Sequence, residues 1–160
     1  MDTVQERLRY TDDNCTIKGT LEIVGEKWSL LVLREAFFGL RRFDDFHHAL
    51  GCARNLLSER LAKLVEHGVL ERVEYQEPGQ RRRHEYRLTE SGLDLEPALV
   101  ALMQWGDRWT ADPDGPPVEV LHRGCGGTVH AVLACEHGHS ELSPAETEAV
   151  PGPGAREVAA

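Results

Sequence analysis

The feature that most constrains the fold is a change of hydrophobic period near residue 69. A helical pattern stops at Gly68, and VLERVEYQ (69–76) then alternates Val69, Glu71, Val73 and Tyr75 against Leu70, Arg72, Glu74 and Gln76. Alternation of this kind suits a half-buried strand. The Pro-Gly turn in EPGQ, followed by a second alternating run, RRRHEYRL (81–88), predicts an antiparallel hairpin placed directly after a helix.

Upstream, apolar residues recur with the helical period and predict four helices. TIKGTLEIVG (16–25) sets Ile17, Leu21 and Val24 on one face and ends near Gly25. WSLLVLREAFFG (28–39) is apolar on most sides through Leu33, which places it at the centre of the core. RRFDDFHHALG (41–51) spaces Phe43, Phe46 and Leu50 along one face, and ARNLLSERLAKLVEHG (53–68) buries Leu57, Leu61, Leu64 and Val65. After the hairpin, Thr89 supplies a capping hydroxyl for a helix running to about Trp109. That helix carries Leu95, Leu99, Leu102 and Trp109 on one stripe and Val100 and Met103 on another. One small core cannot cover both stripes, so part of the helix is expected to meet a second copy of the chain.

ADPDGPP (111–117) has the composition of a linker. Residues 118–144 predict a small β-rich appendage of two or three short strands, with turns at Gly126-Gly127 and Gly138. The remaining residues, 145–160, have nothing with which to build a core and are expected to be disordered. The expected organisation is therefore a mainly α domain with a β-hairpin over 1–110, a linker, an appendage and a tail.

Charge is distributed unevenly along this plan. The chain of 160 residues has a formal net charge of −9, yet residues 1–87 balance 15 Lys and Arg against 15 Asp and Glu. Residues 88–160 hold 12 Asp and Glu against 3 Lys and Arg, so the whole excess lies there. For a polyanionic partner the local cationic surface matters, not the average. The hairpin tip gathers Arg81, Arg82, Arg83 and His84. Helices followed by an arginine-tipped hairpin form the order of a winged helix-turn-helix. The fourth helix presents Arg54, Asn55, Ser58, Glu59, Ala62 and Lys63 outward with Arg60 at the flank. In the major groove Arg pairs with guanine and Asn with adenine, Ser reaches phosphate or base edges, and Lys63 suits the backbone. The hairpin-tip cations would lie along a neighbouring phosphate strand or enter the minor groove. The expected partner is double-stranded DNA. A winged helix that binds another protein through the same surface is the alternative, and the three arginines favour the polyanion.

Several separated segments carry a family resemblance: GEKWSLLVLREAFFGLRRFDDF, then ARNLLSERLAKLVEHGVLERVEY, then HEYRLTESG. In this order, over roughly residues 14–110, the chain resembles the HxlR family of bacterial winged-helix transcriptional regulators. The resemblance implies a homodimer on a palindromic operator, with dimer contacts from the first and last helices of that span. It also draws attention to Cys15, since members commonly carry a cysteine before the first helix and in some it senses electrophiles or oxidants. The helix N-terminus and Lys18 favour a thiolate there, while Asp12 and Asp13 oppose it. An oxidant, electrophile or small ligand is the expected effector. Cys52, in the turn before the fourth helix, reads as a small buried apolar residue, with a second reactive thiol as the other reading.

Related regulators with similar extensions resemble degenerate zinc ribbons. Here HRGCGGTVHAVLACEHGH has Cys125 and Cys135 at glycine-containing turns, and Gly138 stands where a last ribbon cysteine would fall. Zinc at a tetrahedral site built from Cys125, Cys135 and two of His122, His137 and His139 is one reading. A vestigial ribbon held by packing and a disulfide are the others. No cofactor is required by the DNA-binding plan.

Other classes find little support. No Gly-rich phosphate loop, nucleophile elbow or HExxH pair is present, so the sequence does not point to an enzyme. No apolar run is long enough to span a bilayer, and residues 1–13 lack a signal peptide's apolar stretch, which together predict a cytoplasmic protein without membrane association.

Overall fold

The computed structural model describes residues 7–158. The leader reading of residues 1–13 therefore falls partly outside the described residues, as do the last two residues of the tail. Among the described residues six α-helices and one hairpin run in chain order, followed by a short 3-10 turn at Pro144–Glu146: α1 (Thr16–Val24), α2 (Lys27–Phe37), α3 (Phe43–Leu50), α4 (Arg54–Glu66), β1 (Leu70–Tyr75), β2 (Arg83–Leu88), α5 (Glu90–Leu93) and α6 (Glu96–Trp109).

The greasy helix α2 lies at the middle, touching α1, α3, α4, α6 and β2. Its Val32 and Leu33, with Phe46 of α3 and Leu61 and Leu64 of α4, are shut off from solvent, and Leu57, Leu70 and Cys52 complete the cluster. Burying each such Leu or Phe contributes roughly 1.5–3 kcal/mol. Cys52 is thus part of the core. Between α3 and α4 the chain reverses at Gly51, whose φ of 61° is left-handed and whose N–H donates to His47 O. That conformation favours glycine, and it sets the angle between the two helices of the helix-turn-helix.

An isolated hairpin is marginal in water, so β1 and β2 need support from the helices. Their register pairs Leu70 with Leu88 at the base and Tyr75 with Arg83 towards the tip. The segment entering α3 bonds to the hairpin's flank: Arg42 bridges Glu85, and Tyr86 N–H donates to Arg41 O at 2.7 Å. At the base, α5 presses against Val69, just before β1, and against Leu88 of β2. An added Cβ on Gly92 would lie 2.2 Å from Val69 O and 3.0 Å from Leu88 Cδ2, so no side chain fits there.

Three expectations need correction. The helix after the hairpin is not continuous to Trp109. Thr89 does cap its start, Oγ1 accepting from Gly92 N–H at 3.2 Å. The helix then breaks after Leu93, and α6 restarts with Pro97 in its first turn. Pro97 has no N–H to donate to Leu93 O, so a continuous helix would have lost that bond. The appendage forms no extended strands among the described residues. It consists of two tight knuckles closed by the isolated bridges Leu121–Thr128 and Ala134–Ser140. Gln104 of α6 anchors it, Nε2 donating to Val129 O at 2.8 Å and Oε1 accepting from Ala131 N–H at 2.9 Å.

The tail, expected to be disordered, is tied to the segment before α1. Thr11 N–H donates to Arg156 O at 2.9 Å, Val158 N–H to Arg9 O at 2.8 Å, and Asn14 Nδ2 to Gly154 O at 2.8 Å. Composition hid this because the partners are distant in sequence, as in the Arg9–Glu157 ion pair at 3.1 Å, whose residues are 148 positions apart.

Candidate nucleic-acid interface

The outward edge of α4 begins with Arg54, Asn55 and Ser58, all exposed. Arg54 is held in place: its guanidinium sits 4.7 Å over the Phe43 ring and 3.1 Å from Asp44. Asn55 and Ser58 make no side-chain hydrogen bond among the described residues, which leaves their donors and acceptors open to a ligand. Arg60 and Lys63 are placed differently. Both turn towards Glu26 at the N-terminus of α2, at 2.6 and 3.7 Å, and Arg60 is only 18% exposed. These two cations therefore brace α4 against the α1–α2 turn, off the edge carrying Arg54, Asn55 and Ser58.

The hairpin tip is cationic but internally tethered. Arg82 lies 3.8 Å from Glu74, and His84 Nε2 lies 3.4 Å from the same carboxylate. His84 Nδ1 also meets Arg72 at 3.1 Å. Arg81 and Arg83 have no ion pair among the described residues, so their charge is uncompensated locally.

A ridge of contacts joins the tip to α4. Arg42 pairs with Glu77 at the turn, 2.6 Å away, and lies 4.8 Å over the Tyr75 ring. The hydrogen bond it donates to Glu77 and the neighbouring Tyr75 raise its pKa further above the ordinary arginine value. Arg42 is followed by Phe43 and Asp44, which hold Arg54. A cleft of about 440 Å³ lies along this ridge, lined by Arg42, Phe43, Asp44, Arg72, Arg83 and His84 among others. Hairpin, α3 entry and the start of α4 thus share one cation-rich surface. Sequence reasoning missed Arg41, Arg42 and Arg72. The Arg41-Arg42 doublet before FDDF is the available signal, but its place beside the hairpin depends on backbone bonds to Glu85 and Tyr86 that the local pattern does not show.

The thiols and histidines occupy other ground. Cys15 is the exposed N-cap residue of α1, beside a Lys18–Asp12 pair at 3.6 Å. In the appendage His122 Nδ1 lies 3.3 Å from Cys125 Sγ, and Cys135 Sγ lies 3.1 Å from His139 Nδ1. The knuckles form two separate Cys–His couples, with His137 instead near Glu136 at 3.7 Å. Among the described residues no three His, Cys, Asp or Glu side chains are grouped so as to hold a metal ion, and what the structure brings together in the appendage is these two Cys–His pairs.

Comparison with known proteins agrees with this layout. The chain is 49% identical over 134 residues to an HTH-type transcriptional regulator of Mycobacterium tuberculosis, covering 84% of both chains. Its fold matches the crystal structure of PA1607 with a TM-score of 0.76 and 37% identity, covering 88% of this chain and 96% of that one. The likeness to PA1607 therefore extends beyond the helix-turn-helix into the appendage. The redox regulator HypR in its oxidised form matches with a TM-score of 0.55 and 28% identity, covering 61% of this chain and 99% of its own. A family model described as HxlR-like helix-turn-helix matches residues 23–114, and so the chain belongs to the HxlR-like family of helix-turn-helix regulators.

Proposed function

We propose that the protein is a homodimeric, sequence-specific DNA-binding regulator of transcription that inserts α4 into the major groove of a palindromic operator. Asn55 and Arg54 read base edges and Ser58 a phosphate or base edge. Arg81, Arg82, Arg83 and His84 follow the flanking backbone or minor groove. Arg60 and Lys63 reach phosphates only if they leave Glu26. The observation that carries the reading is the shared cationic ridge from the hairpin through Arg42 to Arg54. Dimerisation is supported by the apolar side chains left exposed on α1 and α6: Ile17, Leu21, Leu102, Trp105 and Trp109 are each more than half exposed. A face of this kind is unusual on a monomer. No helix among the described residues is long and apolar enough to cross a membrane. The test is a gel shift of the upstream region of its own operon, at low and high salt, with sedimentation of the free protein. A monomer, or binding insensitive to salt, would refute the proposal and leave the protein-interaction reading.

The exposure of Cys15 supports a finer reading in which its thiol is the sensor. Oxidation or alkylation there, beside the exposed face of α1, alters the angle between the two α4 helices so that both cannot seat together. Cys15→Ser is expected to keep DNA binding and lose any response to diamide. An unchanged response would eliminate Cys15. The appendage enters the reading as a ribbon-like fold, and zinc held by its two Cys–His couples is tested by metal analysis of the purified protein.

A further inference from the structure

We propose that the cleft between α2, α6 and the 111–117 segment is a binding site for small lipophilic cations. The 111–117 segment, a linker by composition, forms one side of it. Pro116 and Val118 face Leu31, Phe37, Leu99 and Met103 across a cavity of about 840 Å³. That volume lies within the range of small-molecule sites, and the lining is mainly apolar.

The chemistry of the ligand follows from the rim. Four carboxylates border the cleft, those of Glu96, Asp107, Asp112 and Asp114, and none has an ion pair among the described residues. The one bordering cation, Arg34, is already engaged by Glu35, its Nε donating to Oε1 at 2.8 Å. A bound monocation would meet an uncompensated negative rim over an apolar floor, whereas an anion of the same shape would be repelled. This also assigns a role to part of the acidic excess after residue 87. The site adjoins the exposed seam on α6 and shares Leu102 with it. Leu99, Met103 and Gly106 lie on the cleft side at helical spacing, while Trp109 and Trp105 fall about a quarter and a third of a turn away. Because α2 is the core of the DNA-reading body and α6 carries that seam, a ligand wedged between them bears on both. This coupling rests on the proposed dimeric DNA-binding function; the binding site itself does not.

Tetraphenylphosphonium and tetraphenylborate have nearly the same shape and opposite charge, so calorimetric titration of each into the full-length protein separates apolar fit from charge. The cation is expected to bind one per chain, and the anion at least about tenfold more weakly. Asp107→Asn combined with Glu96→Gln is expected to narrow that ratio severalfold. Gly106→Leu is expected to abolish binding. A Cβ there meets only Thr110 Oγ1 at 3.5 Å, so the larger side chain enters the cleft without disturbing the helix. Equal affinity for both ions, no heat with the cation, or full binding by a folded Gly106→Leu variant would each overturn the site. Operator affinity measured on the same samples reports separately on the DNA-binding reading.

Discussion

The most discriminating perturbation is to remove the two hairpin arginines that have no carboxylate partner. Arg82 already spends part of its field on Glu74, at 3.8 Å, whereas Arg81 and Arg83 have no ion pair among the described residues. If each of these two neutralises one phosphate, a dimer loses four contacts in the Arg81→Ala/Arg83→Ala variant. Each phosphate contact contributes about 0.9 to the slope of log K against log salt, so the slope should become shallower by about 3.6. Raising salt fourfold, from about 50 to 200 mM, should then close the gap between wild type and variant by about a hundredfold. The assay is fluorescence anisotropy on a duplex selected by genomic binding, in at least four salt concentrations. A slope change near 1.8 would mean that only one hairpin touches the duplex. An unchanged slope would refute the assignment of the hairpin to phosphate, whatever happened to affinity.

Other substitutions test the supporting structure. Gly92→Ala forces a Cβ to within 2.2 Å of Val69 O and should cost about 1–3 kcal/mol. Thermal melting should show it as a drop of several degrees, and an unchanged Tm would mean that α5 is not in contact with Val69 and Leu88. Gln104→Ala removes the amide that holds Val129 and Ala131, at about 0.5–1.5 kcal/mol for each bond. Limited proteolysis within 111–117 should accelerate in that variant while the domain before it stays intact. Trp105→Glu places a charge on the exposed seam of α6, where an aromatic anchor contributes about 2 kcal/mol or more to an interface. Sedimentation should show a dimer weakened about thirtyfold or more, and an unaffected dimer would move the seam elsewhere.

How much of this was legible beforehand follows the range of the interactions. Each of the four helices before the hairpin, and both strands, shows a local period in its apolar residues, because each contributes at least one side chain to the core around α2 or packs against it. The break after Leu93 was also local, in Pro97, but the apolar stripes run straight across it and concealed it. What could not be read was set by distant partners. Nothing near Arg60 signals that Glu26 will hold it, and nothing in VPGPGAREV signals that residues 9–14 will bond to it. The appendage is an intermediate case. Its glycines mark turns at Gly126 and Gly138, whereas the short strands expected around them are reduced to isolated bridges, because strand pairing depends on partners that spacing does not specify.

The charge asymmetry becomes intelligible once the elements are placed. The hairpin hangs on the entry to α3 through Arg41 and Arg42, whereas the appendage hangs on α6 through Gln104. Basic and acidic surfaces thus belong to different attachments on the central helix α2. At physiological ionic strength charges farther apart than about 8 Å are largely screened from each other. None of the carboxylates after residue 87 pairs with Arg81 or Arg83 among the described residues, and any that lies farther off than this leaves the field at the hairpin intact. Such carboxylates would act instead on approaches in the wrong orientation, in which an acidic surface would meet the duplex first and be repelled. A net charge of −9 and a DNA-reading surface are then compatible, and the negative charge itself narrows the set of orientations that lead to binding.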